Sequence, residues 1–354
     1  MPAIRPLALL FAILLAASCG GAPAVSPTPA TSASAAASAS AAPVADYKDG
    51  DTLTVIVPYS AGGGFDLGAR ILQPYLQTAM KTVTGKSVTV VVQNVPGAGG
   101  RVGDEQVWKM APDGRTVLYT TLVDMAGFQV RGSPIDITKW TQIAQVSNQA
   151  TAFIVPPNVI PATGNFKELV DRSKQKALLY GYTAPDQAKL TIALLKDTMG
   201  MQTSGVPFPG TGEAQASLLR GEIELYSVSL ATALQLVQQN PTWRIIAQSG
   251  TKRDPTAPNV PTFAEAGLAQ SAADQLNAMV DTTTRTMHGP PGISAGNTKA
   301  LQDAFRAAIN DAGFVKDMTA KQQPVAYAGP EVVTKTAVDA LALFTKYKDI
   351  LLAP

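Results

Sequence analysis

Past residue 45 the chain alternates short β-branched runs with longer stretches whose apolar positions recur three and four apart. Leu53–Val57 is the first run, and Leu67–Met80 follows as a helix that Pro74 is expected to kink or divide. Val88–Val92 reads as a strand, and Val102–Met110 as a helix closed by the turn signal Ala111-Pro112-Asp113-Gly114. Val117–Thr121 and Ile143–Val146 read as further strands. A second series starts near Phe153–Val155, with a helix at Phe166–Lys174, a strand at Leu178–Tyr180 and a helix at Ala188–Met199. It runs on through Gly205–Pro207, a helix at Ala214–Leu219, Ile223–Tyr226, Leu230–Gln239 and Ile245–Gln248. Strand–helix alternation of this kind predicts an α/β fold of βαβ units on a parallel sheet. After Met279 the amphipathic helices Lys299–Ile309 and Val332–Tyr347 return to the first unit. The expected plan is a discontinuous first lobe (46–152 plus 280–354) and an inserted second lobe (153–279). Two chain crossovers then form a hinge that closes on a ligand.

The first 45 residues do not belong to this pattern. Arg5, the apolar Leu7–Leu15 and the small residues Ala16-Ala17-Ser18 have the order of a secretory signal, with residues 1–19 as the leader. The apolar core is shorter than the about 20 residues a spanning helix needs. Cys19, the single cysteine of the chain, follows the small-residue site as in a bacterial lipobox, although Ala16 stands where leucine is usual. A lipid anchor at Cys19 is expected, an ordinary secreted protein being the alternative. Residues 20–45 are almost wholly Ala, Ser, Pro, Thr and Gly and cannot bury enough apolar surface to fold. Such a tether spans on the order of 30 Å r.m.s..

Two glycine-rich loops carry the candidate chemistry. Pro58-Tyr59-Ser60-Ala61-Gly62-Gly63-Gly64-Phe65-Asp66 follows the first strand, and Gln93-Asn94-Val95-Pro96-Gly97-Ala98-Gly99-Gly100 follows the second. Glycine lets a ligand approach main-chain N–H groups closely, and a helix opening behind the loop adds free donors and a positive dipole end. Both loops lie at the carboxyl ends of parallel strands, where α/β sheets bind ligands. The pattern points to an anion receptor. Val102 stands where a dinucleotide fingerprint has its third glycine, and neither loop ends in Gly-Lys-Ser/Thr.

Composition removes other classes. Apolar residues at 46% and charged residues at 15% fit a packed globular chain. The formal charge is +2, or +1 once Arg5 leaves with the leader, which argues against nucleic acid as partner. One histidine, His288, and one cysteine offer no metal cluster, and no G-x-S-x-G or H-E-x-x-H motif occurs. His288 is read as structural or surface, no cofactor is expected, and an enzyme is disfavoured. A hydrolase built on Asp66 or Glu213 lacks a nucleophile–base pair.

Four ordered blocks together resemble the periplasmic substrate-binding proteins of tripartite tricarboxylate transporters, the Bug family, over nearly all of residues 52–350. They are Pro58 to Asp66, Gln93 to Gly103, Ala111 to Gly114 and Val260-Pro261-Thr262-Phe263-Ala264-Glu265-Ala266-Gly267. The resemblance implies a two-lobed periplasmic-binding-protein fold of the second class, a Venus flytrap. It also implies a small organic acid bound between the lobes, one carboxylate on the N–H groups of the glycine loops, and delivery to the permease subunits of a tripartite transporter. A sensor subunit serving a membrane signalling partner is the alternative, and a monomer is expected. By position Ser60, Ala61, Gly62, Gly63, Gly64, Phe65 and Asp66, with Gly97, Ala98, Gly99, Gly100 and Arg101, line the first-lobe side. Tyr182, Thr183, Phe208, Gly210 and Thr211 line the second.

Several residues have a plain structural reading beside the ligand one. Asp66 serves equally as a helix N-cap. Phe65, Tyr182 and Phe208 form either an apolar distal pocket or core packing. Arg101 either pairs with a carboxylate or is a surface charge. The family's Glu-Asn-Arg is Gln93-Asn94-Val95 here, its second-lobe glycine loop is Tyr180 to Gln187, and its Pro-Tyr-Lys-Gly is Pro207-Phe208-Pro209-Gly210 without the cation. Cys19→Ser is expected to move the protein from the membrane fraction to the soluble one, and continued membrane retention would refute the lipid anchor.

Overall fold

A computed structural model describes residues 44–352 apart from positions 149, 162, 184, 209, 210, 282, 283 and 322. The leader, Cys19 and most of the tether lie outside the described residues. The chain opens with β1 (Thr52–Val57), α1 (Gly64–Thr84), β2 (Thr89–Asn94) and α2 (Arg101–Trp108). β3 (Thr116–Thr121), α3 (Leu122–Val130) and β4 (Thr141–Ser147) follow. Next come β5 (Thr151–Val155), α4 (Phe166–Gln175), β6 (Leu178–Tyr182), α5 (Pro185–Met199) and β7 (Thr203–Pro207). α6 (Thr211–Leu219), β8 (Leu225–Ser229), α7 (Leu230–Gln239), β9 (Arg244–Gln248) and α8 (Gln270–Asp281) continue the chain. It closes with β10 (Arg285–Gly289), α9 (Ala295–Ile309), α10 (Ala312–Ala320), α11 (Pro330–Lys346) and α12 (Lys348–Leu352).

The strands form two five-stranded sheets, β2-β1-β3-β10-β4 and β7-β6-β8-β5-β9. Each corrects the expectation of a parallel sheet. β1 runs parallel to β2 and β3, and β6 to β7 and β8. β10 and β5 run antiparallel to both their neighbours. The cause is the crossover itself. β5 carries the chain into the second sheet and β10 carries it back, so neither is reached through a helix on its own sheet. The register pairs Arg285 with Thr121, placing the start of β10 at the carboxyl end of β3.

α1 corrects a second expectation, because it runs unbroken through Pro74. Pro74 lies on the exposed face, so the carbonyl it leaves unpaired meets water, while Leu72 and Leu76 bury the opposite face. α3, α8, α10 and β10 have no clear counterpart in the hydrophobic pattern. α3 buries Leu122, Val123, Met125, Ala126, Gly127 and Phe128 and so presents no polar face by which to read it. β10 is buried throughout although it carries Arg285 and His288.

The termini tie into this frame. Tyr47 donates to the Gly114 carbonyl at 2.6 Å, which fixes the end of the tether. The segment around Ala326 and Ala328 pairs with Gln145 and Val146 and covers the edge of β4. α11 packs on α3 and β4, whereas α12 packs on α5, so the C-terminus touches elements that follow both sheets.

His288 is fully buried, its Nε2 2.6 Å from Thr286 Oγ1 and its Nδ1 2.6 Å from Gln142 Oε1. Burial pushes its pKa down to about 3. An unfolded histidine titrates near 6.5, so between those values the unfolded chain binds the extra proton. The stabilisation is present above about pH 6.5 and is lost as pH falls toward about 3. Against His288→Gln, the wild type is expected to lose about 1 kcal/mol of unfolding free energy per pH unit across that window. Urea denaturation at several pH values checks this, and a pH-independent difference would contradict it.

Candidate functional site

The site starts from the backbone at the end of β1. Asn94 Nδ2 donates to the Tyr59 carbonyl at 3.0 Å and the Val95 amide to the Val57 carbonyl at 2.9 Å, which locks the two glycine loops together. Ala98 to Gly100 form a 3-10 turn, and φ is positive at four successive residues: 143° at Gly97, 48° at Ala98, 69° at Gly99 and 107° at Gly100. Gly100 is required for a second reason, since a Cβ there would stand 3.1 Å from the Tyr59 ring. The second loop therefore presses Tyr59 inward.

Tyr59 reaches two acidic side chains, half-buried Asp124 and fully buried Asp104. Its hydroxyl donates to Asp124 Oδ2 at 2.6 Å. Asp104 of α2 is fully buried nearby, with Oδ2 3.5 Å from Thr120 Oγ1 and Oδ1 without a hydrogen-bond partner. Burial and the charge of Asp124 push the Asp104 carboxyl well above its ordinary range, which favours its uncharged form. Burial also raises Asp124, to about 6, against the opposing pull of the Tyr59 hydrogen bond and the Arg131 charge. At neutral pH Asp124 holds most of its negative charge.

On the other side of the Tyr59 ring, Phe65 lies 4.4 Å away between centroids. The Arg285 guanidinium sits over the Phe65 ring at 4.8 Å. Arg285 is 8% exposed, and its Nη1 donates to the Gly64 carbonyl at 3.0 Å and to Gln323 Oε1 at 2.6 Å. Both acceptors are neutral, and among the described residues no carboxylate lies within ion-pair distance of Arg285.

These groups open on a cavity of about 180 Å³ between the sheets. Tyr59, Phe65, Thr121, Val123, Asp124 and Arg285 line it from the first sheet's side. Thr151, Gln187 and Ser227 to Ser229 line it from the second. Ser229 also caps α7, accepting from the Thr232 amide at 3.3 Å. Beside the cavity, Arg131 at the end of α3 pairs with Asp186 of α5. A Cβ at Gly127 would collide with the Asp186 carboxylate, so the absent side chain is what lets α5 approach α3.

Of the residues expected at the site, Phe65 lines the cavity, and Gly64 holds Arg285 through its carbonyl. Ser60, Ala61, Gly62 and Gly63 form an exposed loop outside the lining. Asp66 is not the N-cap, which is Gly63. It sits within the first turn, where its carboxylate can reach back to the Gly62 amide at 2.8 Å and pair with Arg70 at 2.9 Å. Gly97, Ala98, Gly99 and Gly100 lie outside the lining, with Gly100 against the Tyr59 ring and Gly97 beside Val102, and Arg101 pairs with Glu105 at 2.6 Å. Tyr182 packs near Tyr180 and against Gly205, and Phe208 against Gly181. Thr183 is half-buried outside the lining, Thr211 opens α6, and Gly210 lies outside the described residues. The charged groups of the cavity, Asp124 and Arg285, come from α3 and β10.

A family model described as the tripartite tricarboxylate transporter family receptor matches residues 75–344. Protein BugT of Bordetella pertussis is 27% identical to this chain over 247 residues, which are 68% of this chain and 73% of BugT. A Rhodopseudomonas palustris protein solved with adipate superposes with a TM-score of 0.69 at 21% identity, covering 85% of this chain and 97% of its own. MatC from the same organism, solved with bound malate, gives a TM-score of 0.65 at 21% identity, covering 85% and 99%. At that identity the two structures speak for the fold alone, a two-lobed periplasmic-binding-protein architecture.

The contact between α3 and α5 is testable without a ligand. Arg131→Gln strands the Asp186 carboxylate and is expected to lower the unfolding free energy by about 1–3 kcal/mol. Adding Asp186→Asn to it should recover part of that loss, since neither charge is then left alone. Urea denaturation of the two variants decides, and an unchanged single variant would show that the pair contributes nothing.

Proposed function

The chain belongs to the tripartite tricarboxylate transporter receptor family, extracytoplasmic solute receptors rather than enzymes, and from that premise we propose that it captures a small organic carboxylate in the cavity between its sheets. Arg285 carries this reading. A buried guanidinium with only neutral partners is an incomplete charge arrangement, and a carboxylate completes it with charge-assisted hydrogen bonds. Gly64 links this cation to the first glycine loop, whose first helical turn adds N–H groups without intrahelical acceptors. That structural relatives were solved with adipate and malate supports a carboxylate as the ligand class.

The lobes follow the two crossovers: 46–152 with 280–354 on one side and 153–279 on the other. Ligand held between them favours the closed form, which is presented to the permease subunits of a tripartite tricarboxylate-type transporter. Cys19 and the tether at 20–45 keep the receptor at the membrane as a lipoprotein, acting as a monomer.

Arg285→Gln tests the reading. A calorimetric screen of aliphatic, hydroxy-, amino- and aromatic carboxylates should find a binder for the wild type, and the variant should bind it about 10- to 100-fold more weakly. A screen in which only neutral or cationic compounds bind, or an unchanged affinity in Arg285→Gln, would overturn the assignment.

A further inference from the structure

We propose that the cavity selects an acid that also bears a cationic N–H group, an aminocarboxylate, with its carboxylate on Arg285 and its ammonium on Asp124. This rests on reading the cavity as a carboxylate site. The cavity lining has two charged side chains, of opposite sign. They do not cancel each other by direct contact, because the Phe65 and Tyr59 rings stand between them. The Arg285 guanidinium lies over Phe65, and Asp124 accepts from the Tyr59 hydroxyl.

Asp124 has capacity left for a ligand. Tyr59 occupies Oδ2, and Oδ1 has no hydrogen-bond partner among the described residues. Burial favours the uncharged form of Asp104, the acid behind it, and Arg131, whose charge reaches Asp124, makes its direct ion pair with Asp186. The remaining lining is uncharged, with Thr121, Thr151, Gln187 and the serines of β8 as its polar members. A zwitterion matches both charges of this lining. A dicarboxylate of the same length satisfies Arg285 and sets its second charge against Asp124, and like charges juxtaposed in a binding site disfavour the complex strongly.

The test compares three acids of one chain length by calorimetry at neutral pH: γ-aminobutyrate, glutarate and butyrate. The wild type is expected to bind γ-aminobutyrate at least about tenfold tighter than either of the others. Asp124→Asn should remove that preference and raise the affinity for glutarate. Glutarate or butyrate binding as tightly as γ-aminobutyrate in the wild type would overturn the charge-matching proposal and leave the carboxylate site standing. So would a preference that survives in Asp124→Asn. Binding of none of the three would overturn the proposal, and if the broader carboxylate screen also finds no binder, the carboxylate reading falls with it.

Discussion

A buried guanidinium with no carboxylate beside it among the described residues sets the terms for the rest of this molecule. Taking such a charge out of water costs several kcal/mol even after relaxation. The fold offsets that cost with the Gly64 carbonyl, the Gln323 amide oxygen and the face of Phe65, three partners that solvate the charge and do not neutralise it. They come from two distant parts of the chain: Gly64 and Phe65 from the opening turn of α1, and Gln323 from the segment after α10. The constraint therefore reaches well beyond the cavity, because β10, α1 and the C-terminal segment must all be in place before Arg285 is tolerated.

The aromatic pair has a matching role. Tyr59 and Phe65 form the wall along which a positive end and a negative end are held apart, and the second glycine loop holds that wall in position. Its run of left-handed residues and the close approach of Gly100 to Tyr59 explain the glycines by backbone geometry. The Gly-rich signal in the sequence thus has a structural account that operates before any ligand arrives.

This division explains what could be read from the residues alone. The strand–helix alternation and the family-type blocks are written in local periodicity and in turn residues, and the elements from β1 to β9, α3 excepted, stand close to where those signals put them. Asp124 and Arg285 were not legible, for physical reasons. α3 follows β3 without a turn and is apolar on nearly every side, so it lacks the amphipathic stripe that marks a surface helix. β10 mixes Arg, Thr and His in a strand buried on both faces, a pattern that reads as loop. Arg285 reaches the cavity only because β10 returns antiparallel and lands opposite Thr121, a long-range pairing that no local signal encodes. The one available hint was a lone arginine among threonines, Thr282-Thr283-Thr284-Arg285-Thr286, shortly after the chain leaves the second lobe.

α3 also joins the cavity to the contact between the lobes. Its first turn brings Asp124 to the lining, and about two turns later its end brings Arg131 to Asp186 on α5. Gln187, the residue after Asp186, lines the cavity from the other side. Two residues of the cavity lining, Asp124 and Gln187, are thus neighbours of the Arg131–Asp186 pair on α3 and α5. Gly127 makes the arrangement possible by leaving room for the Asp186 carboxylate, which a methyl group there would strike, so α3 and α5 meet beside the cavity only because that side chain is absent.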